Sequence, residues 1–413
     1  MKRLFLNWLR YGLCLGLAVL VSIRSIPASA QLVDSLTAIE WSPDGSKIAG
    51  GDINGDVYIW AASYFTELNH FHAQSTGIYS IAWNPTSTEI AVFESQSGQI
   101  GIWDINRMEQ VTQLQTPPSL GYAVGFLDWS SHDVLAAIRY VSEGDDNIHL
   151  WDAHDNRLVD QSLELRAFAY DLNWNPDGSE LAIADRGSIY LLDDFSQDAL
   201  IRPLSPYSFS TKWNPASNQI AAIRSEGFVE IISMLDGQVV YSIEWDNNRV
   251  ASVAWSPDGK TLAMLEEIGQ VRLFDLMSEQ IVASFQLDIP GVPRVMEWSP
   301  FGGRLVVGNP LNGGSEQKIP SLPDRVESVG DNQLRVIVPL ASLDWLGQVA
   351  SYCVAAVDQP SDEVLALLSP EAMSNLTLDQ LPDFIEGVKA LPGDTIPPAC
   401  AADVIAVAEA LQS

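Results

Sequence analysis

From about residue 35 to residue 308 the chain is built of short runs in which apolar and polar positions alternate, cut by turns rich in Gly, Pro, Asn and Asp. Tyr79-Ser-Ile-Ala-Trp83 shows the pattern. Its period of two predicts a strand half buried against its neighbours. Asn84-Pro85 turns the chain, Glu89–Val92 predicts a second strand, and Ser95–Gly98 turns it again. Ile100–Asp104 predicts a third strand, and the weaker Gln110–Leu114 a fourth, ending before Pro117-Pro118. Four short strands joined by tight turns make one antiparallel sheet. Such a sheet is too small to bury both of its faces, so it must stack on others of its kind.

The unit repeats. A tryptophan followed by a turn recurs at Trp41-Ser-Pro-Asp-Gly45, Trp83-Asn-Pro85, Trp129-Ser-Ser131, Trp174-Asn-Pro-Asp-Gly178, Trp213-Asn-Pro215, Trp255-Ser-Pro-Asp-Gly259 and Trp298-Ser-Pro300. Successive tryptophans lie 42, 46, 45, 39, 42 and 43 residues apart. A period in this range is the signature of one supersecondary unit copied along the chain. Third strands recur in step, as Val57–Trp60, Ile148–Asp152, Ile189–Asp193, Val229–Ile232 and Val271–Asp275. Seven tryptophans on first strands, with Trp60, Trp103 and Trp151 on third strands, occupy repeat-defined positions, which predicts core packing for all ten.

The Trp-Ser-Pro-Asp-Gly turns and the strand ends Ile102-Trp-Asp104 and Leu150-Trp-Asp152 resemble the WD40-repeat β-propeller family. The resemblance covers about residues 35–308, extending toward 340. It implies an all-β fold: a seven-bladed β-propeller of four-stranded antiparallel blades, followed here by a small α-helical C-terminal segment. The Gly-His pair that usually precedes the first strand is absent, and only Trp103-Asp104 and Trp151-Asp152 keep the naming dipeptide. The seventh unit is interrupted between Gly308 and Pro323, after which Arg325–Val329 and Leu334–Val338 could supply a closing hairpin. Closure from the C-terminal side is the expectation, because little chain precedes the first strand.

After Pro339 the period changes to 3.6. Leu343–Val357, Leu378–Leu391 and Ala399–Leu411 read as helices, with Thr377 as an N-cap and Pro397-Pro398 opening the last. Cys353 and Cys400 fall in the first and last of these, and a disulfide between them would staple a unit of marginal size. The segment reads as a lid over the last blade or as a docking appendage.

The N-terminus carries Lys2, Arg3 and Arg10, an apolar run from Leu13 to Val21, and Ala28-Ser-Ala30. These are the parts of a secretory signal peptide. The domain expectation is therefore 1–30 signal peptide, 31–340 propeller and 341–413 helical segment, with the mature protein periplasmic or extracellular and not inserted in a membrane. The chain has 413 residues and a net charge of −31, and losing residues 1–30 makes it more acidic still. Such a charge argues against nucleic acid as a partner and fits a partner protein with a basic segment.

No catalytic constellation emerges, and the reading is non-enzymatic, with no cofactor or metal. Asp52-Ile-Asn54-Gly-Asp56 has part of a calcium-loop spacing, but Ser63 stands where the bidentate glutamate belongs, so a plain turn is preferred. His70 and His72 are too few for a zinc site. One collective feature remains. In the resembled family the turns between second and third strands gather at one end of the ring. Here they carry Asp52, Asp56, Glu94, Glu143, Asp145, Asp146, Asp185, Glu226, Glu266 and Glu267. That acidic face is the candidate interaction surface. The function read is an exported protein-interaction scaffold. The alternatives are an extracytoplasmic enzyme or small-ligand propeller with its site in the central channel, or a carbohydrate-binding surface using Tyr64, Phe65, Tyr122 and Tyr207.

Overall fold

The computed structural model describes residues 36–412 except for several connecting stretches, the longest being 115–124, 193–207 and 309–333. Residues 1–35, with the expected signal peptide, lie outside it. The strands form seven antiparallel sheets in chain order. Their first strands are Leu36–Trp41, Ile81–Trp83, Gly125–Trp129, Ala169–Trp174, Ser208–Trp213, Val250–Trp255 and Val295–Trp298, each ending on the repeat tryptophan. Neighbouring first strands touch one another in sequence, and the last returns to the first. The sheets therefore stand around a common centre, with first strands innermost. Fourth strands such as Thr66–His72 and Gln280–Gln286 lie outermost, and their side chains alternate between exposed and half-buried.

Four-stranded antiparallel sheets are the rule, as expected. Among the described residues five sheets have four strands, whereas the fourth and seventh have three. In the fourth sheet the chain beyond Leu192 enters the stretch 193–207. The seventh sheet takes its third strand, Leu334–Ile337, from beyond the long interruption, paired antiparallel with Leu305–Gly308. Arg325–Val329 lies outside the described residues.

The tryptophans do the packing expected of them. Nine of the ten are buried; Trp103 is half-buried and stacks on Phe71 at 4.8 Å between centroids. Four also bolt sheet to sheet. The indole N–H groups of Trp83, Trp174, Trp213 and Trp255 donate to the carbonyls of Glu40, Asp128, Asn173 and Lys212 in a preceding sheet, at 3.0–3.2 Å. Each acceptor is the residue just before a repeat tryptophan. A bulky indole thus fills the gap between sheets and satisfies its one donor there.

The turn after each tryptophan explains its own sequence. Ser42 Oγ donates to Asp44 Oδ1 at 2.6 Å and accepts from the Lys47 N–H, while Asp44 Oδ1 accepts from the Ser46 N–H. Ser256 and Asp258 repeat the arrangement. Side-chain acceptors of this kind satisfy backbone donors that a tight turn leaves unpaired. The seventh turn, Trp298-Ser-Pro-Phe301-Gly-Gly303-Arg304, lacks the aspartate, because Phe301 stands in its place. Asp403 from the C-terminal segment fills the role: its Oδ2 accepts from Ser299 Oγ and from the Gly303 N–H.

That segment comprises α1 (Leu343–Ala355), α2 (Asp362–Leu368), α3 (Pro370–Ser374), a 3₁₀ turn at Leu378–Gln380, α4 (Leu381–Ala390) and α5 (Pro398–Leu411). Three helices were legible from the 3.6 period; α2 and α3 were not. They span seven and five residues, too short to show a stripe, and are started by side-chain caps from Ser361 and Ser369. Cys353 and Cys400 are joined, tying α1 to α5. The apolar faces of the helices merge with those of the first, sixth and seventh sheets in one continuous core, where Trp345 packs on Trp298. Asp403 ion-pairs with Arg304, whose Nη1 donates to the Ala62 carbonyl at 2.6 Å and whose guanidinium lies over the rings of Phe65 and Trp41. Gly45 adopts φ +67°, and a Cβ there would stand 2.6 Å from the Phe301 ring. Arg304 thus clasps last sheet, first sheet and α5 together at the end carrying the post-tryptophan turns.

Candidate functional site

The acidic turns lie at the opposite end, between second and third strands. Asp52 is buried, and its Oδ1 accepts from the backbone N–H groups of Asn54 and Asp56 at 2.9 and 2.8 Å, with Tyr58 Oη near Oδ2. This is the plain turn, with its carboxylate turned inward. Asp56 pairs with His72 at 2.7 Å, and His70 pairs with Glu67 at 2.8 Å. Glu266 is buried against Arg272 at 3.0 Å, and Glu267 is half-buried beside it. Asp146 and Asp185 sit at strand ends of the third and fourth sheets. Glu94, Glu143, Asp145 and Glu226 fall outside the described residues. Tyr64, Tyr122 and Tyr207 fall outside them too, whereas Phe65 is buried beneath Arg304 and presents no surface to a sugar. Among the described residues no group of three or more His, Cys, Asp or Glu side chains is arranged to hold a metal.

The structure adds a second site that the turn pattern does not reveal. A cavity of ≈ 600 Å³ runs along the centre and is lined by first-strand residues of all seven sheets. The position just before the tryptophan lines it in five sheets, as Glu40, Asp128, Asn173, Lys212 and Glu297, and is Ala82 or Ala254 in the other two. The cross-strand partner of that position is alanine in six sheets and Val306 in the seventh, so the inward side chain meets little bulk behind it. Asp171 and Ser210 add a second layer two residues earlier.

These groups form one electrostatic cluster. Lys212 Nζ meets Glu297 Oε1 at 3.2 Å. Glu40 Oε2 accepts from the Trp83 N–H at 3.2 Å, and Asp128 accepts from the N–H groups of Trp129 and Trp174. Asp171 accepts from Ser210 Oγ at 2.8 Å and from the Thr211 N–H at 3.0 Å. An innermost strand has no ladder partner on its channel side, so these carboxylates brace N–H groups of neighbouring sheets. Four carboxylates surround one ammonium, and burial disfavours charge on Glu40, Asp128 and Asp171. Burial, then the charges of Glu297 and Asp128, holds the Glu40 carboxyl well above the ordinary range. Burial pushes Asp128 up to about 7 against the opposing N–H bond from Trp174 and the charge of Lys212. Burial also raises Asp171, against the charge of Lys212. Desolvation alone would lower Lys212; Glu297, Asp171 and Asp128 overcome it and keep the ammonium above its usual range.

A pH dependence follows. Between the ordinary carboxylate range and about pH 7 the folded chain holds protons on Asp128 that the unfolded chain has lost. Stability contributed by such a group falls as pH rises through that window, by at most about 1.4 kcal/mol per pH unit for each carboxyl. Asp128→Asn removes the titration, so the variant should lose less stability than the parent between pH 5 and pH 8 in urea unfolding. Parallel losses would mean that Asp128 is already ionised at pH 5.

Two family models match this chain. The WD domain, G-beta repeat, matches residues 22–61 and 65–104, and the anaphase-promoting complex subunit 4 WD40 domain matches residues 211–308. These matches and the ring of sheets support a WD40-repeat β-propeller. It is similar to the periodic tryptophan protein 2 homolog of Caenorhabditis elegans, at 26% identity over 197 residues, 47% of this chain and 21% of that protein. It is also similar to anaphase-promoting complex subunit cdh1 of Dictyostelium discoideum, at 26% identity over 170 residues, 39% of this chain and 20% of that protein. The WD40 chain therefore spans about a fifth of the length of these curated relatives. Among solved structures, the β-propeller domain of Myceliophteria thermophila Cps50 (Swd1) superposes with a TM-score of 0.56 over 70% of this chain and 96% of that one. At 13% identity that likeness concerns the fold alone. The missed channel cluster had one signal in the WD40 repeats, the residue before each tryptophan, which is charged in four of seven units.

Proposed function

We propose that this WD40 propeller is an exported, non-enzymatic interaction scaffold whose acidic end receives a basic segment of a partner protein. The seven sheets would act as the blades of one ring, with residues 341–413 as its lid. The observation that carries the reading is an asymmetry between the two ends. The last helix covers post-tryptophan turns of the first and seventh sheets, through Ala399, 3.6 Å from where a Cβ on Gly45 would stand, and through the Asp403 bonds. The other end carries Asp56 and Glu267, with the further acidic turn residues of the sequence. Like charges gathered there focus a negative potential, and a net charge of −31 reinforces it. Interaction roles in the names of the relatives support a scaffold.

The test is affinity capture with residues 31–413 from an extracytoplasmic extract, at low and moderate salt. One reproducible partner, released as salt rises, is expected. The combined variant Glu94→Gln, Asp145→Asn, Asp185→Asn and Glu226→Gln should weaken its capture at least tenfold, as expected for several rim charges lost together. Undiminished capture would remove the acidic end from the interaction.

A further inference from the structure

We propose that the channel cavity is a binding site for a small organic cation, a primary ammonium or guanidinium group carried on a compact apolar body. A volume of ≈ 600 Å³ suits such a ligand. The charges within it do not balance. At the rim, Arg224 is held by Glu230 at 2.6 Å, and Arg249 and Glu267 contribute one charge of each sign. Deeper in, Glu40, Asp128, Asp171 and Glu297 face Lys212 as the single cation among the described residues.

Two carboxylate oxygens have no donor among the described residues. Lys212 takes Glu297 Oε1 and the Trp83 N–H takes Glu40 Oε2, leaving Glu297 Oε2 and Glu40 Oε1. Both side chains line the cavity, on the seventh and first sheets, whose innermost strands are neighbours. An ammonium between them would complete both carboxylates with charge-assisted hydrogen bonds. The remaining wall is of a different character. Tyr79, Phe126, Tyr170 and Phe228 come from the second, third, fourth and fifth sheets, joined by Ile223 and Val250. Aromatic faces attract a cation and accept an apolar body. The acidic pair and the aromatic wall together define an amine with a hydrocarbon part, and a bare metal ion would use only the former.

The probe is 2-phenylethylamine, titrated calorimetrically into the folded chain at pH 8, with 2-phenylethanol as its neutral counterpart. One amine per chain is expected, with affinity at least tenfold above that of the alcohol. Glu40→Gln and Glu297→Gln should each weaken the amine at least tenfold and leave the alcohol unchanged. Glu40→Gln relieves repulsion between neighbouring carboxylates, so a melting temperature no lower than the parent's confirms an intact fold. Equal binding of amine and alcohol, undiminished binding by the folded Glu40→Gln chain, or no heat at millimolar amine would each overturn the proposal.

Discussion

Asp403→Ala is expected to lower the unfolding free energy by about 3–5 kcal/mol, the cost of stripping one partner from a buried ion pair. Three losses coincide. Arg304, 3% exposed, keeps its charge without a counter-ion. Ser299 Oγ and the Gly303 N–H lose their common acceptor in the seventh turn. The guanidinium that spans Ala62, Phe65 and Trp41 is no longer held in place, so the contact between first and last sheets loosens with it. Urea unfolding of the two chains measures the difference. Arg304→Met in the Asp403→Ala background should recover part of the loss, because a buried pair replaced by apolar groups is far less costly than a broken one. A loss below about 1 kcal/mol, in the range of exposed pairs, would show that water re-solvates Arg304 and that the clasp is dispensable.

Removing the Cys353–Cys400 bridge should cost roughly 4 kcal/mol on the chain-entropy model, given the 47-residue separation it closes. Both sulfurs are fully buried between α1 and α5, in the core that the helices share with the sheets. The variant of choice is Cys353→Ala with Cys400→Ala, since serine would bury hydroxyl groups without partners. The parent should unfold at lower urea when the bridge is reduced, whereas the double alanine variant should not respond to reductant. If the variant matches the oxidised parent, the helical segment is held by packing alone. The two variants also separate the causes: Asp403→Ala breaks the attachment to the sheets, and the cysteine variant loosens the helical segment itself.

Much of this fold was legible in the sequence because the repeat is physical. Trp83 ends a first strand, fills the gap between sheets and donates to the Glu40 carbonyl, so its recurrence marks each sheet directly. Ser42 and Asp44 mark a turn because their side chains satisfy its donors. Asp52 reads as one of the acidic turn residues at one end of the ring, and the structure buries it. Two backbone N–H groups draw its carboxylate inward, and a list of turn residues does not reveal that direction. Phe65 reads as a loop aromatic and is instead the floor beneath Arg304, a contact between residues 239 positions apart in chain order. The channel cluster was illegible for the same reason. Glu40, Asp128, Lys212 and Glu297 are scattered singly through 258 residues, and only the ring brings them together.

The sequence alone determined what local chemistry can dictate: period-two strands, tryptophan-ended sheets, the WD40 likeness, and a helical segment with its cysteine pair. The tertiary structure alone decided where that segment goes. The seventh turn lacks its aspartate, and nothing local says that residue 403 supplies it, because the bond joins groups a hundred positions apart. Charge balance in the channel was likewise decided by assembly, since burial and mutual approach set the state of a carboxyl and neither exists before the sheets meet.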